Sequence, residues 1–170
     1  MSQEMYQLFQ HMDVHRLETQ LALQCAPLLS SLKISNLLIV AKEYEQALFT
    51  LLEETDILFY RLYLSKEKAT FFLYRYEELS NYLQTQEVSE LMSRYGYDGM
   101  EPETLLQRFQ TRYANYRNQK AEFPHEMGLL LGYPVDDVNG FIANEGKNSL
   151  YTSYWKVISK YSKQNRRICK

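Results

Sequence analysis

The first segment of the chain has apolar residues at helical spacing: Met5, Leu8, Phe9 and Met12. Asp13 then offers a capping side chain for a continuation or a second helix, which carries Leu17 and Leu21. Proline lacks the amide donor that an interior helical position needs, so Pro27 predicts a new turn of helix. After it, ISNLLIV predicts a buried strand and AKEYEQALFTLLEET predicts a further helix.

The clearest β pattern is a pair of segments, ILFYRLYL and ATFFLYRY, on either side of the turn Ser65-Lys66-Glu67-Lys68. If Leu64 pairs with Ala69, the antiparallel register places alternate residues on two faces. One face then holds Leu58, Tyr60, Leu62, Leu64, Ala69, Phe71 and Leu73. The other face holds Phe59, Arg61, Tyr63, Thr70, Phe72 and Tyr74. Because both faces are largely apolar or aromatic, the pattern predicts a central hairpin that is covered on both sides.

Helical patterns return after the hairpin. The segments EELSNYLQT and VSELMSRYG predict two short helices, the second ending near Gly96, and Pro102 suits the start of a longer one. Pro124 and Pro134 are placed to begin two short helices in FPHEMGLLLGYPVDDVNGFI. Gly132 is placed to end the first of them in a left-handed conformation, and Gly146 follows the second. The segment LYTSYWKVI has strand composition, although Tyr154, Trp155, Ile158 and Tyr161 also fit a helix; we expect a strand.

Together these elements predict an α+β fold: a small, mainly antiparallel sheet with a central hairpin, packed by several helices. The chain has 170 residues, is 45% hydrophobic, and has no internal repeat or linker rich in proline and serine. We therefore expect a single domain over residues 1–170, in which residues 160–170 form a frayed or helical basic tail.

The net charge and the lengths of the apolar runs argue against several classes of protein. A formal net charge of -2 creates no global field that would attract nucleic acid or an anionic membrane. The N-terminal segment lacks the basic and apolar regions of a signal peptide, and no apolar run approaches the roughly 20 residues that span a bilayer. We expect a cytoplasmic protein. Its two cysteines, Cys25 and Cys169, do not make a disulfide framework.

The stretch FPHEMGLLLGYPVDDVNGFI, followed by Gly146, Lys147 and YWKV, is the least generic part of the chain. With CAPLLSSLKISNLL and FFLYRY, it resembles the bacterial domain-of-unknown-function family numbered 3793, over nearly the whole length. The resemblance implies a small single-domain bacterial protein with no assigned activity. Members often carry a cysteine just before the segment that corresponds to YWKV, whereas this chain has Leu150-Tyr151-Thr152-Ser153. Thiol chemistry at that place is therefore in doubt.

Three residues are the candidates for catalysis: Cys25, His125 and Glu126. The zincin motif needs a second histidine four residues after the first, and Leu129 occupies that position. His125 and Glu126 then form either a helix cap with a half-buried ring or a catalytic pair. Cys25, at the predicted helix boundary, is either a buried apolar residue or a thiol with a lowered pKa. Cys25 and His125 would make a nucleophile and base only if the fold brings them together.

Other side chains are candidates for binding. A pocket could be lined by Tyr133, Tyr154, Trp155 and Lys156, although core packing accounts for the same residues. His11 and His15 share one face of a continuous helix, with Glu18 as a third metal ligand, but zinc usually takes four ligands. We expect these histidines to be solvent-exposed and predict no metal site.

A nucleic-acid surface is a further hypothesis. Bases stack on aromatic sheet faces, and one hairpin face holds Phe59, Arg61, Tyr63, Phe72 and Tyr74. Basic residues follow at Arg108, Arg112, Arg117 and Lys120 and in the tail KYSKQNRRICK. The glycine-bearing RNP signature is absent, and a solvated helix face explains the same basic residues.

We therefore expect a cytosolic binding or accessory protein for a small ligand or a partner. The first alternative is a thiol- or metal-dependent enzyme that uses Cys25, His125 and Glu126, and the second is a nucleic-acid-binding protein. The ligand, partner and cofactor stay unknown at this level.

Overall fold

The computed structural model describes residues 13 and 15–144, together with the backbone of residues 151–152 and 156–157. The helices are α1 (Leu17–Leu29), α2 (Glu45–Leu52), α3 (Tyr76–Leu83), α4 (Gln86–Arg94), α5 (Pro102–Arg117), α6 (Met127–Leu130) and α7 (Val135–Ala143). The strands are β1 (Ser35–Ala41), β2 (Ile57–Leu64), β3 (Lys68–Arg75), β4 (Tyr151–Thr152) and β5 (Lys156–Val157). A 3-10 turn, Lys42–Tyr44, precedes α2. This mixture of helices and a small antiparallel sheet confirms the predicted α+β fold.

The main sheet has three antiparallel strands in the order β1-β3-β2. Leu64 pairs with Ala69, as predicted. All seven positions from residue 69 to residue 75 are buried, because β3 is the middle strand and both of its faces are covered. The hairpin is therefore central only in its second strand, and β2 lies at an edge.

The predicted facing of β2 is wrong over most of its length. An irregularity in the ladder between Arg61 and Tyr63 shifts the register. A single extra residue reverses which side the preceding side chains face, since the period of a strand is two. Phe59 consequently packs edge-on against Phe71, with ring centroids 5.6 Å apart, and Leu62 joins the cluster that contains Phe72.

The two faces of the sheet carry separate cores, because neighbouring residues of β3 point to opposite sides. The Phe71 core lies under α1 and α2 and includes Leu21, Cys25, Leu28, Leu38, Leu48, Phe71 and Leu73. The Phe72 core lies under α3 to α7 and includes Phe72, Tyr74, Leu79, Met92, Tyr97, Leu105, Phe109 and Met127.

Side chains close both edges of this sheet. On β1, the Gln24 amide accepts from the Ile39 N–H at 2.9 Å and donates to the Ile39 carbonyl at 3.1 Å. On β2, Gln110 donates to the Arg61 carbonyl at 2.7 Å, and Thr55 Oγ1 accepts from the N–H of Ile57. Unpaired edge groups invite strand addition, and these contacts engage the backbone at Ile39, Ile57 and Arg61.

Helix α1 continues through Pro27, which corrects the predicted boundary at that residue. Proline removes one helical hydrogen bond, and the loss is tolerated here near the C-terminal end of the helix. Asn36 of β1 donates to the Gln24 carbonyl at 2.7 Å, so the turn before the proline is supported from the sheet. Cys25 therefore lies inside a helix and not at its N-terminus.

The later helix boundaries mostly follow the predictions. Gly96 ends the α4 region with a φ of +83°, and Pro102 is the first residue of α5. Gly132 has a φ of +74° between α6 and α7, as its predicted stop position requires. Helix α6 begins at Met127, three residues later than the predicted start at Pro124, because residues 124–126 form a turn. Residues 1–12, Gly146 and the tail from 158 onward lie outside the described residues.

Short antiparallel strands at residues 151–152 and 156–157 agree with the strand predicted for LYTSYWKVI. Within the part of the chain that the structure describes, no helix is both long enough and apolar enough to cross a membrane.

Candidate functional site

An ion pair with a buried carboxylate joins the turn before α6 to the middle of α5. The side chain of Glu126 is 0% exposed, and its Oε1 lies 2.7 Å from Nε of Arg112. Nη2 of Arg112 lies 3.5 Å from Oε2, and Nη1 donates to the Tyr95 carbonyl at 3.2 Å. A buried carboxylate is tolerated only with charged and hydrogen-bonding partners, so these contacts make the burial of Glu126 possible.

Tyr97 is the third member of this network. It is 3% exposed, and its hydroxyl donates to Oε1 of Glu126 at 2.9 Å. Burial, followed by the charge of Glu126, raises the pKa of Tyr97 well above its usual range. The hydroxyl therefore stays protonated near neutral pH and acts as a donor to the carboxylate.

Arg108 approaches the same tyrosine across Gly96. Its guanidinium carbon lies 5.6 Å from the centroid of the Tyr97 ring. A Cβ at position 96 would lie 2.7 Å from Arg108 Nη2, so the glycine leaves room for the cation. The ring is thus held by its hydroxyl and by a cation beside it.

His125 is packed among aromatic rings. Its centroid lies 5.6 Å from that of Phe123 and 5.9 Å from that of Phe141, both edge-on. Nδ1 is a buried atom that has no hydrogen-bond partner among the described residues. The Glu126 carboxylate is engaged by Arg112 and Tyr97, and the structure shows no bond between it and the imidazole.

Cys25 lies in the Phe71 core, on the opposite face of the sheet from the Glu126 network. Its Sγ contacts the Leu37 carbonyl at 3.7 Å and receives a hydrogen bond from Asn36 at 3.4 Å. Burial raises the pKa of the thiol from 9.0 to about 11. The fold therefore does not bring Cys25 and His125 together as a nucleophile and base.

We expect Cys25 to react slowly with a thiol reagent in the folded protein. A rise of two units in pKa lowers the thiolate fraction at pH 8 about 100-fold, and burial restricts access as well. The measurement is the rate of reaction with Ellman's reagent in a Cys169→Ser background, with the same protein in urea as the control. Equal rates in the folded and unfolded states would contradict this environment.

The binding candidates near the C-terminus are only partly described. The hydroxyl of Tyr133 accepts from Lys33 Nζ at 2.9 Å, and its carbonyl accepts from the hydroxyl of Tyr82 at 2.9 Å. Burial raises the pKa of Tyr133 to about 12. Tyr154, Trp155 and the side chain of Lys156 lie outside the described residues, so a pocket formed by all four stays a prediction.

The histidine pair near the N-terminus is also only partly described. His15 is exposed and His11 lies outside the described residues. Glu18 pairs with Arg16 at 3.4 Å. Among the residues that could be searched, no group of three or more His, Cys, Asp or Glu side chains is placed to hold a metal ion.

The aromatic hairpin face does not form a bare stacking platform. Phe72 and Tyr74 are buried in the Phe72 core. Arg61 forms an ion pair with Glu45 at 2.7 Å, and Arg117 lies over the Tyr63 ring at 5.1 Å from its centroid. Arg61 and Arg117 thus interact with other side chains of the same chain.

A recess that the sequence did not indicate lies between α3, α4, the loop 95–101 and α5. Its cavity volume is about 150 Å³, and one side is open to solvent. Met92, Tyr97 and Leu105 form its floor, and Ser80, Ser89 and Glu101 lie at its rim. The pair of left-handed glycines around Tyr97, at positions 96 and 99, was the only local sign of an unusual loop. We call this feature the Tyr97 recess.

Comparison with known proteins identifies a family whose description assigns no function. The family model described as "Protein of unknown function (DUF3793)" matches residues 21–170. No curated protein and no solved structure matches the chain.

Proposed function

Since the chain belongs to family 3793, whose description assigns no function, we propose from the geometry that it is a small-ligand-binding accessory protein and that the Tyr97 recess is its site. The observation that carries the proposal is a concave surface with an apolar floor and polar groups at its rim. Ligand sites commonly have this composition. The proposal keeps the bacterial, cytoplasmic setting that we expect from the sequence.

The Tyr97 part of the recess floor is preorganised. Tyr97 lines the recess, while its hydroxyl donates a hydrogen bond to Glu126, which pairs with Arg112. A ring held in this way loses little freedom when a ligand contacts it, and binding costs less when the site is already ordered. In this proposal Glu126 and Arg112 position the Tyr97 ring and do not touch the ligand.

Methionine methyl groups provide a direct test of binding. The chain has six methionines, of which Met92 and Met100 line the recess and Met127 lies in the Phe72 core outside its lining. We expect 1-hexanol, used as the probe, to shift the ¹³C-methyl resonances of Met92 and Met100 in a saturable way. The Met127 resonance is expected to stay in place.

A blocking variant makes this test specific. Ser89 is an exposed residue at the rim, so Ser89→Trp should fold and obstruct the recess, and the saturable shifts should be lost. Asn81→Trp is the matched control, because Asn81 is exposed on the neighbouring helix α3 and does not line the recess. Saturable shifts that survive in Ser89→Trp, or no shift at Met92 and Met100 in the parent protein, would refute the site.

A further inference from the structure

We infer that the Tyr97 recess selects an organic amine, with the ammonium group at Glu101 and an apolar body on the floor. This inference rests on the proposed function and adds the chemical class of the ligand. It comes from the charge of the recess and not from its shape alone.

Among the described residues that line the recess, Glu101 is the only one with a charged side chain. It directly precedes α5, yet its side chain makes no capping hydrogen bond to that helix. The described residues provide no ion-pair partner for its carboxylate. An exposed carboxylate beside an apolar floor therefore remains available to a cation from solution.

The residues around Glu101 add to the negative potential. Glu103 lies two residues further along, in the first turn of α5, and Glu77 lies in the first turn of the neighbouring helix α3. All three carboxylates act on Tyr76, and the charge of Glu103 is the largest cause of the rise in its pKa. Like charges grouped in this way favour a bound cation and disfavour a bound anion.

Two arginines, Arg108 and Arg112, lie near the Tyr97 ring. The Arg108 guanidinium occupies the Gly96 side of the ring, and the charge of Arg112 is matched by Glu126. Neither arginine lines the recess. A ligand on the floor formed by Met92 and Leu105 would thus meet a single charge, and that charge is negative.

Three probes of equal chain length test this selectivity: hexylammonium, 1-hexanol and hexanoate. We expect hexylammonium to bind about tenfold more tightly than 1-hexanol at low salt, and hexanoate to bind most weakly. Binding is followed by the Met92 and Met100 methyl shifts. In Glu101→Gln the affinity for hexylammonium should fall to that of 1-hexanol, while the affinity for 1-hexanol should not change.

The outcomes separate this inference from the proposed function. If all three probes bind with equal affinity and Ser89→Trp abolishes binding, the recess is a site and the amine selectivity is wrong. If no probe shifts Met92 or Met100, both are wrong. A preference for hexylammonium that survives in Glu101→Gln would overturn the role of that carboxylate. High salt is expected to reduce the preference, because the carboxylate is exposed.

Discussion

Arg112→Met is expected to lower the free energy of unfolding by about 3 to 5 kcal/mol, because it leaves a buried charge without its partner. Glu126 would be 0% exposed with only the Tyr97 hydroxyl as a donor. The loss should appear in urea unfolding as a lower midpoint with an unchanged slope.

Substitution of Glu126, the other member of the pair, should lower the free energy of unfolding much less. Glu126→Gln keeps the shape of the side chain, and the Arg112 side chain, which is 39% exposed, can turn its guanidinium to water. We expect a loss of about 1 to 2 kcal/mol for this variant. Adding Glu126→Gln to Arg112→Met should recover part of the stability, since no uncompensated charge remains. If Glu126→Gln costs as much as Arg112→Met, the burial of the carboxylate is not the source of the effect.

Gly132→Val is expected to cost about 2 kcal/mol or more, from backbone strain together with crowding. The φ of +74° is unfavourable for a β-branched residue, and a Cβ at this position would lie 3.2 Å from Cγ1 of Ile34. Thermal unfolding of the variant measures the loss.

Gly99 offers a matched control for that prediction. Its φ is +60°, and a Cβ there would have no neighbour within 4 Å. Gly99→Ala should therefore lower stability by about 1 kcal/mol, through backbone strain alone. Gly132→Ala should lower it further, because the new Cβ also crowds Ile34. Equal losses for the two alanine variants would mean that Ile34 moves aside without cost.

Much of the secondary structure follows from local rules that a sequence displays. Pro102 begins α5 and Gly96 and Gly132 adopt positive φ, because proline and glycine act through their own backbone. The pairing of Leu64 with Ala69 follows from a turn and two short apolar segments. These features need no information from distant parts of the chain.

Prediction from local sequence was wrong at two places that contact or belong to the main sheet. The bulge between Arg61 and Tyr63 reversed the facing of β2, and nothing in the alternation of residues marks it. Helix α1 passes through Pro27 with support from Asn36 across the gap to β1. In both cases the departure involves segments that are distant in the chain, so the local pattern of residues does not show it.

Part of the candidate site was also predicted from the sequence, and part was decided by the fold. The sequence singled out Glu126 from its place near a helix start, and it named Arg112 only as one of several basic residues. It did not indicate that Arg112 and Tyr97, which lie 14 and 29 positions from Glu126, would meet its carboxylate. Composition and periodicity determined the α+β class and most helix boundaries. Only the packing of α5 against the loop 95–101 and the turn 124–126 decided which charges are buried, because burial depends on partners that are distant in the chain.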